Sequence, residues 1–466
     1  MREGRVLLVA LAGYFTLQVI LRLISGSGLE YDEAEAFWFS QHLSIGYGTQ
    51  PPLYFWLQHG LFLVLGAGLP ALALLKAGLF AGALWMAGRI GQRLAPDLPL
   101  AATFSILILA LVPEILWEMQ RDRTHTTLVM LVALVTLKHM LAMRSSARRL
   151  DFALLGLLLG LGVLSKHNFL LLPVGLVLGA LWDRARRGRP DPILSLQGWL
   201  ICLAVALPLV APWAVWFLTH PDQSSAGLQK LQLADGPGLA VAAKGLAAWA
   251  VAVLSALGLP GLVYGITALA LHRGGRSLPA LGDDARVLLR GAIIALTLAL
   301  IGVLAADATA VASRWLVPLC LPILLVGGLQ LWSALGWPAR RGFAGGLAAL
   351  WLILPLPLYI ANLDAPRRTD FSALLAALPP GQPILSTDAF ILGNLQRMGS
   401  APPLFLAFAP NRPPQGTRVT LVSRGNDLGR LARALGDGTA ADHRSKLALH
   451  QGAAKRSYEW TELTLP

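Results

Sequence analysis

Apolar residues along this chain fall in blocks too long and too regular for a soluble core. They run at about 5–24, 71–93, 98–117, 124–143, 151–165, 168–182, 197–218, 240–270, 288–306, 315–333 and 343–361. Most approach the roughly 20 residues that a helix needs to cross about 30 Å of hydrocarbon. A helix also satisfies its own backbone polar groups, which lipid cannot do. The pattern predicts an all-α polytopic membrane protein with about eleven transmembrane helices. The first block is long, has no small-residue cleavage site and is followed by many others, so it reads as a retained helix rather than a signal peptide.

Two regions break the pattern. The connection between the first two blocks, about 45 residues, is too long to be idle. Within it Ala34, Phe37, Trp38 and Gln41 recur at helical spacing, and Pro52 opens a second short apolar helix. Both are expected to lie in the membrane interface, where Trp and Tyr prefer to sit. From residue 362 the apolar runs become too short to span. "PILSTDAF", "PLFLAFA" and "RVTLVS" read as strands, "FSALLAAL" and "LGRLARAL" as helices, and "APNRPPQG" as a loop. The division is therefore 1–361, a membrane domain, and 362–466, a small C-terminal α/β soluble domain large enough for its own core.

Charge gives the orientation. The chain is 55% hydrophobic and 14% charged, with a formal net charge of +13. Its arginines gather in alternate connections: Arg2 and Arg5; Arg89 and Arg93; Arg144, Arg148 and Arg149; Arg184, Arg186, Arg187 and Arg189; Arg273 and Arg276; Arg340 and Arg341. Residues 25–75 hold no Lys or Arg. Short basic loops stay cytoplasmic, so the N-terminus is expected inside and the first long loop and the C-terminal domain outside. A basic excess spent on orientation argues against a nucleic-acid partner. Cys202 and Cys320 lie in apolar blocks at no metal-binding spacing and are expected to be free, buried thiols.

The outer side collects the chemistry. Glu30, Asp32, Glu33 and Glu35 open the first loop. An acid at a helix start is often a cap, and this serves for Glu30 and Glu35. The second outer turn, "WEMQRDRTHTT", brings Glu118, Arg121, Asp122, Arg123 and His125; the third, "LSKHNF", brings Lys166, His167 and Asn168; the fourth brings Asp307 and Arg314. Asp122 and His125 either bind a cation or leave Asp122 to pair with Arg121; Lys166 and Arg314 either meet an anionic head group or snorkel at the interface. A transporter or flippase of lipid-linked saccharides would also carry membrane charges, but usually near the midplane and with internal repeats.

An Asp-Glu pair after the first span, a Pro-Pro-aromatic segment, an Asp-x-x-His turn, a Ser-Lys turn and an Arg-Trp-Leu-x-Pro segment, in this order, resemble the GT-C glycosyltransferases. The likeness covers roughly residues 1–335. It is nearest to bacterial members related to protein O-mannosyltransferases, aminoarabinose transferases and rhizobial lipopolysaccharide galacturonosyltransferases. The resemblance implies an inverting glycosyltransferase of the bacterial inner membrane, with its active site and C-terminal domain periplasmic. It moves a sugar from a polyprenyl-phosphate donor to a lipid A, glycan or protein acceptor. By position Asp32 is then the general base with Glu33 in support, Lys166 and Arg314 bind the donor phosphate, and Asp122 and His125 form a second acidic site. Asp32, Asp122 and His125 are the candidate ligands of a divalent metal ion. One departure is Gln50, where the resemblance implies a His before the Pro-Pro.

Overall fold

The computed structural model describes residues 2–188, 190–234, 236–361, 366–400, 402–407, 412–424, 428–435, 445–451 and 454–466. Arg189, the boundary residues 362–365, and residues 408–411, which end the second expected strand and begin "APNRPPQG", lie outside these.

The chain starts with α1 (Arg2–Ile24), followed by the two short helices of the first loop, α2 (Tyr31–Phe39) and α3 (Leu53–Leu65). Next come α4 (Leu69–Leu94), a bent pair α5 (Ala101–Leu111) and α6 (Glu114–Arg121), and α7 (His125–Met143). Then follow α8 (Arg149–Ser165), α9 (His167–Arg187), α10 (Leu196–Thr219), α11 (Leu239–Arg273), α12 (Asp283–Ala305) and α13 (Ser313–Ala334). The membrane portion ends with α14 (Trp337–Ile353) and α15 (Pro355–Ala361).

Among the described residues, eight helices are long and apolar enough to cross a membrane, or nine with the bent pair counted as one span. The other two expected spans are helical but shorter: α8 has 17 residues, and α14 with α15 replaces the last. The expected span at 98–117 is not one continuous helix. It breaks at Val112–Pro113, and α6 turns 95° away from α5. Proline removes a backbone donor and forces the preceding residue out of the helical region. Val112 is accordingly extended, at φ −100° and ψ 108°.

By internal contacts the chain divides into two compact units. The first holds residues 1–16, 45–53 and 76–355. Its central helices are α7 and α13, whose apolar windows are 72% and 78% buried, whereas those of α10 and α11 are 17% buried. Leu200, Leu207, Leu218 and Leu239 all stand exposed on these two helices. So much bare apolar surface on continuous helices suits only lipid. Glycines set the closest helix contacts: a Cβ on Gly156 of α8 would come 2.3 Å from the Cys202 carbonyl of α10, and one on Gly175 of α9 would come 2.3 Å from the Gly291 carbonyl of α12. Small residues at such crossings let backbones approach in the absence of a hydrophobic driving force. Cys202 and Cys320 are free and buried.

One end of this unit is an arginine–aspartate lattice. Arg144, just past α7, bridges Asp191 and Asp284; Arg93 reaches Asp284 at 3.4 Å; Arg290 reaches Asp183 at 2.7 Å. Burial pushes the Asp191 carboxyl above the usual carboxylate range, and the Arg144 charge opposes that shift. The 19 residues of α7 separate this pole from the start of the helix by about 28 Å, close to the thickness of a bilayer core.

The second unit holds residues 17–44, 54–75 and 356–466. Its five-stranded sheet has the order β2-β1-β3-β5-β4, with β1 Ile384–Ser386, β2 Leu404–Leu406, β3 Arg418–Arg424, β4 Ser445–Gln451 and β5 Ala454–Thr464. β1 runs parallel to β2 and β3, and β5 pairs antiparallel with β3 and β4. Leu385, Val419, Leu421 and Leu463 pack beneath Leu428 and Leu435 of a covering helix, Leu428–Leu435. A second helix, Ala389–Arg397, follows β1.

Candidate active site

The acidic start of α2 resolves into different roles. Glu30 occupies the N-cap position, and its backbone N–H donates to Glu33 Oε2 at 3.1 Å. Glu33 is buried and takes two hydrogen bonds from Arg22, from Nε and Nη2, both at 2.7 Å. Arg22 also donates to the carbonyls of Gly26 and Gly28 at 3.1 and 2.9 Å. Arg367 comes within 3.5 Å of Glu30 and 4.0 Å of Glu33. Two buried arginines thus face two buried glutamates, the arrangement that makes buried charge tolerable. Asp32 stands two residues inside the helix and retains partial exposure, so the cap position belongs to Glu30.

In the first unit, the outer turns expected to hold chemistry do meet. Lys166 follows the last residue of α8, and its Nζ donates to Thr126 Oγ1 at 2.9 Å, one residue after His125. His125, the first residue of α7, and Asp122 are both buried. His167 contacts the Thr49 carbonyl at 3.0 Å through Nε2, which joins residues 45–53 to the group. Asn168 donates to the Trp315 carbonyl and so ties the Lys166 turn to the turn that carries Arg314. Arg314 is partly exposed near the start of α13. Among the described residues it makes no hydrogen bond or ion pair.

Several participants were not expected from the sequence. Glu114, on the bent helix, is buried, pairs with Arg123 Nε at 3.1 Å and accepts from Ser313 Oγ at 3.4 Å. Residues Glu114–Glu118 form a π-helical turn, a feature that often marks functional sites. Lys76, inside α4, donates to the carbonyls of Gln120 and Arg121 at 3.1 and 2.8 Å and so satisfies the end of α6. Pro113 and an isolated lysine within an apolar block were the available signals.

The metal expectation fares differently. Among the described residues no group of three or more His, Cys, Asp or Glu is arranged to hold a metal ion. Asp122 and His125 are two donors in the first unit and Asp32 belongs to the second. No step below passes through a metal ion.

A bundle of apolar helices, with interfacial helices in its first loop and a small sheet domain, defines a polytopic membrane protein whose ionisable groups gather at helix ends. Residues 49–216 match the family described as dolichyl-phosphate-mannose-protein mannosyltransferase. The chain is 30% identical over 428 residues to the lipopolysaccharide core galacturonosyltransferase RgtB of Rhizobium johnstonii, which spans 87% of this chain and 84% of that protein. It is 34% identical over 331 residues to RgtA of the same organism, 69% of this chain and 64% of that protein. The crystal structure of ArnT from Cupriavidus metallidurans bound to undecaprenyl phosphate superposes with a TM-score of 0.64 over 97% of both chains, at 13% identity, and so shares the fold. The protein belongs to the GT-C glycosyltransferase family that includes RgtB. It is an enzyme, a membrane glycosyltransferase, and the transporter reading is set aside.

Proposed function

We propose that this enzyme transfers a sugar, with galacturonic acid the first to try, from a polyprenyl-phosphate donor to a saccharide of lipopolysaccharide on the periplasmic face of the inner membrane. The sugar and acceptor are those named for RgtB and RgtA, and a lipid carrier accords with the ligand of the ArnT structure. In the proposed reaction an acceptor hydroxyl attacks the anomeric carbon as the bond from that carbon to the phosphate oxygen breaks. The electron pair leaves with polyprenyl phosphate, and the hydroxyl proton passes to the Asp32 carboxylate. One displacement inverts the anomeric centre. Lys166 and Arg314 offset the negative charge that grows on the phosphate. Asp122 and His125 are buried in the same unit as the Lys166 turn, His125 directly before the Thr126 that Lys166 contacts.

The observation that carries this reading is the division of labour in α2: Glu30 and Glu33 are held by arginines, while Asp32 keeps part of its surface. The reading is tested with purified protein in proteoliposomes, supplied with polyprenyl-phosphate galacturonic acid and lipopolysaccharide core acceptor. Mass spectrometry should show a mass gain of one uronic acid and inverted linkage. Transfer from a soluble nucleotide sugar but not from the lipid-linked one would contradict it.

A further inference from the structure

We propose that the C-terminal sheet domain is the positioning scaffold of Asp32, acting through Asn394 and Arg424; the inference rests on Asp32 being the base. The segment that leads from α1 into α2 is a link of a few residues followed by a helix of nine, and so short a helix is marginal by itself. The domain fixes it at successive points. Gly28 N–H donates to the Arg367 carbonyl at 2.8 Å. Leu29 N–H donates to Asn394 Oδ1 at 2.8 Å, and Asn394 Nδ2 donates back to the Leu29 carbonyl at 3.3 Å. Asn394 is fully buried, and its Nδ2 is also held by the Phe390 carbonyl at 2.9 Å. One residue earlier, a Cβ on Gly393 would lie 2.2 Å from the Ala34 carbonyl, so the helix Ala389–Arg397 touches α2 backbone to backbone.

Arg424 completes the clasp at the residue next to Asp32. Its guanidinium carbon lies 4.7 Å from the centre of the Tyr31 ring and 4.8 Å from that of Phe390. Asp388 pins it through Nε at 2.6 Å and Nη2 at 2.5 Å. The two rings are themselves in contact, with centroids 4.5 Å apart, and a planar cation set against both and fixed by a carboxylate sets orientation as well as distance. A base needs both, because displacement of a reacting group by about 1 Å can cost roughly a hundredfold in rate.

Arg424 is partly exposed, so Arg424→Ala is the variant expected to fold, with Asn394→Ala as the stronger companion. Arg424→Ala should lower kcat about tenfold, leave KM for the polyprenyl-phosphate sugar within about twofold, and speed amide exchange across residues 31–39. In an Asp32→Asn background the same change should alter the residual rate less than about twofold, because a positioning residue has nothing left to position. Wild-type kcat and exchange in Arg424→Ala would overturn the inference, and so would an equal loss in the Asp32→Asn background. Asp32→Asn at wild-type rate would instead remove the base assignment itself, and with it the scaffold role.

Discussion

Glu33 and Asp32 are adjacent in the chain but differ in burial, Asp32 being partly exposed. Glu33 is 3% exposed and holds Arg22, itself 5% exposed; removing one member of such a pair strands the other charge, at a cost of about 3–5 kcal/mol. Glu33→Gln should therefore lower the thermal midpoint of the purified protein markedly, and any loss of transfer should follow the loss of folded protein. An unchanged midpoint would show that the pair is dispensable. Lys166 donates to the Thr126 hydroxyl at 2.9 Å. If it serves the donor phosphate, Lys166→Ala should weaken binding of polyprenyl phosphate by about tenfold or more, the worth of one charge-assisted hydrogen bond. Tryptophan-fluorescence titration reads this directly, and unaltered binding would make Lys166 an interfacial anchor. At this scale the sequence made Asp32 and Lys166 stand out because charge in an apolar chain is conspicuous. It gave no sign of the ion pairs that bury Glu33, because the partners Arg22 and Arg367 lie 11 and 334 positions from it.

Among the elements, periodicity revealed the membrane helices and the first three strands but not the breaks or crossings. All eleven apolar blocks are helical at least in part, since hydrophobic length is a local property. The bend at Pro113 was legible only as a proline near the end of an apolar block, and proline in a membrane helix is often tolerated without a break. The β4–β5 hairpin was missed because its residues mix Lys, Arg and Glu with apolar ones and so dilute the alternation. Crossings depend on glycines, which hydropathy barely registers. Gly156→Leu would drive a side chain into the Cys202 carbonyl and should abolish monodisperse protein in size-exclusion chromatography, while Gly261→Leu, where a Cβ meets nothing within 4 Å, should not. Equal behaviour of the two would contradict this account of the α8–α10 contact.

For the molecule as a whole, the arginine bias favours one direction where the fold alone leaves it open. The Arg144 lattice and the Lys166 turn occupy opposite ends of the first unit, so only one can face the cytoplasm, and the basic loops favour the lattice. Introduced as single cysteines, Gln415→Cys should react with an impermeant maleimide from the periplasm and Ser146→Cys only after the cytoplasmic side is opened. The reverse pattern would invert the topology. The grouping of residues 17–44 and 54–75 with the C-terminal hundred residues was not legible from composition, which changes only near residue 362. Contacts such as Asn394 to Leu29, 365 residues apart, leave no local mark in the sequence.

The central claim is that Asp32 takes the acceptor proton. Asp32→Asn keeps the size of the side chain and leaves the Glu30–Glu33 cap and the Arg22 pair intact, so folding and donor binding should match wild type. The direct measurement is single-turnover transfer by the purified variant under saturating donor. The account predicts a fall of at least about a hundredfold, the usual worth of a general base, with the Kd for polyprenyl phosphate unchanged; transfer at the wild-type rate would contradict it.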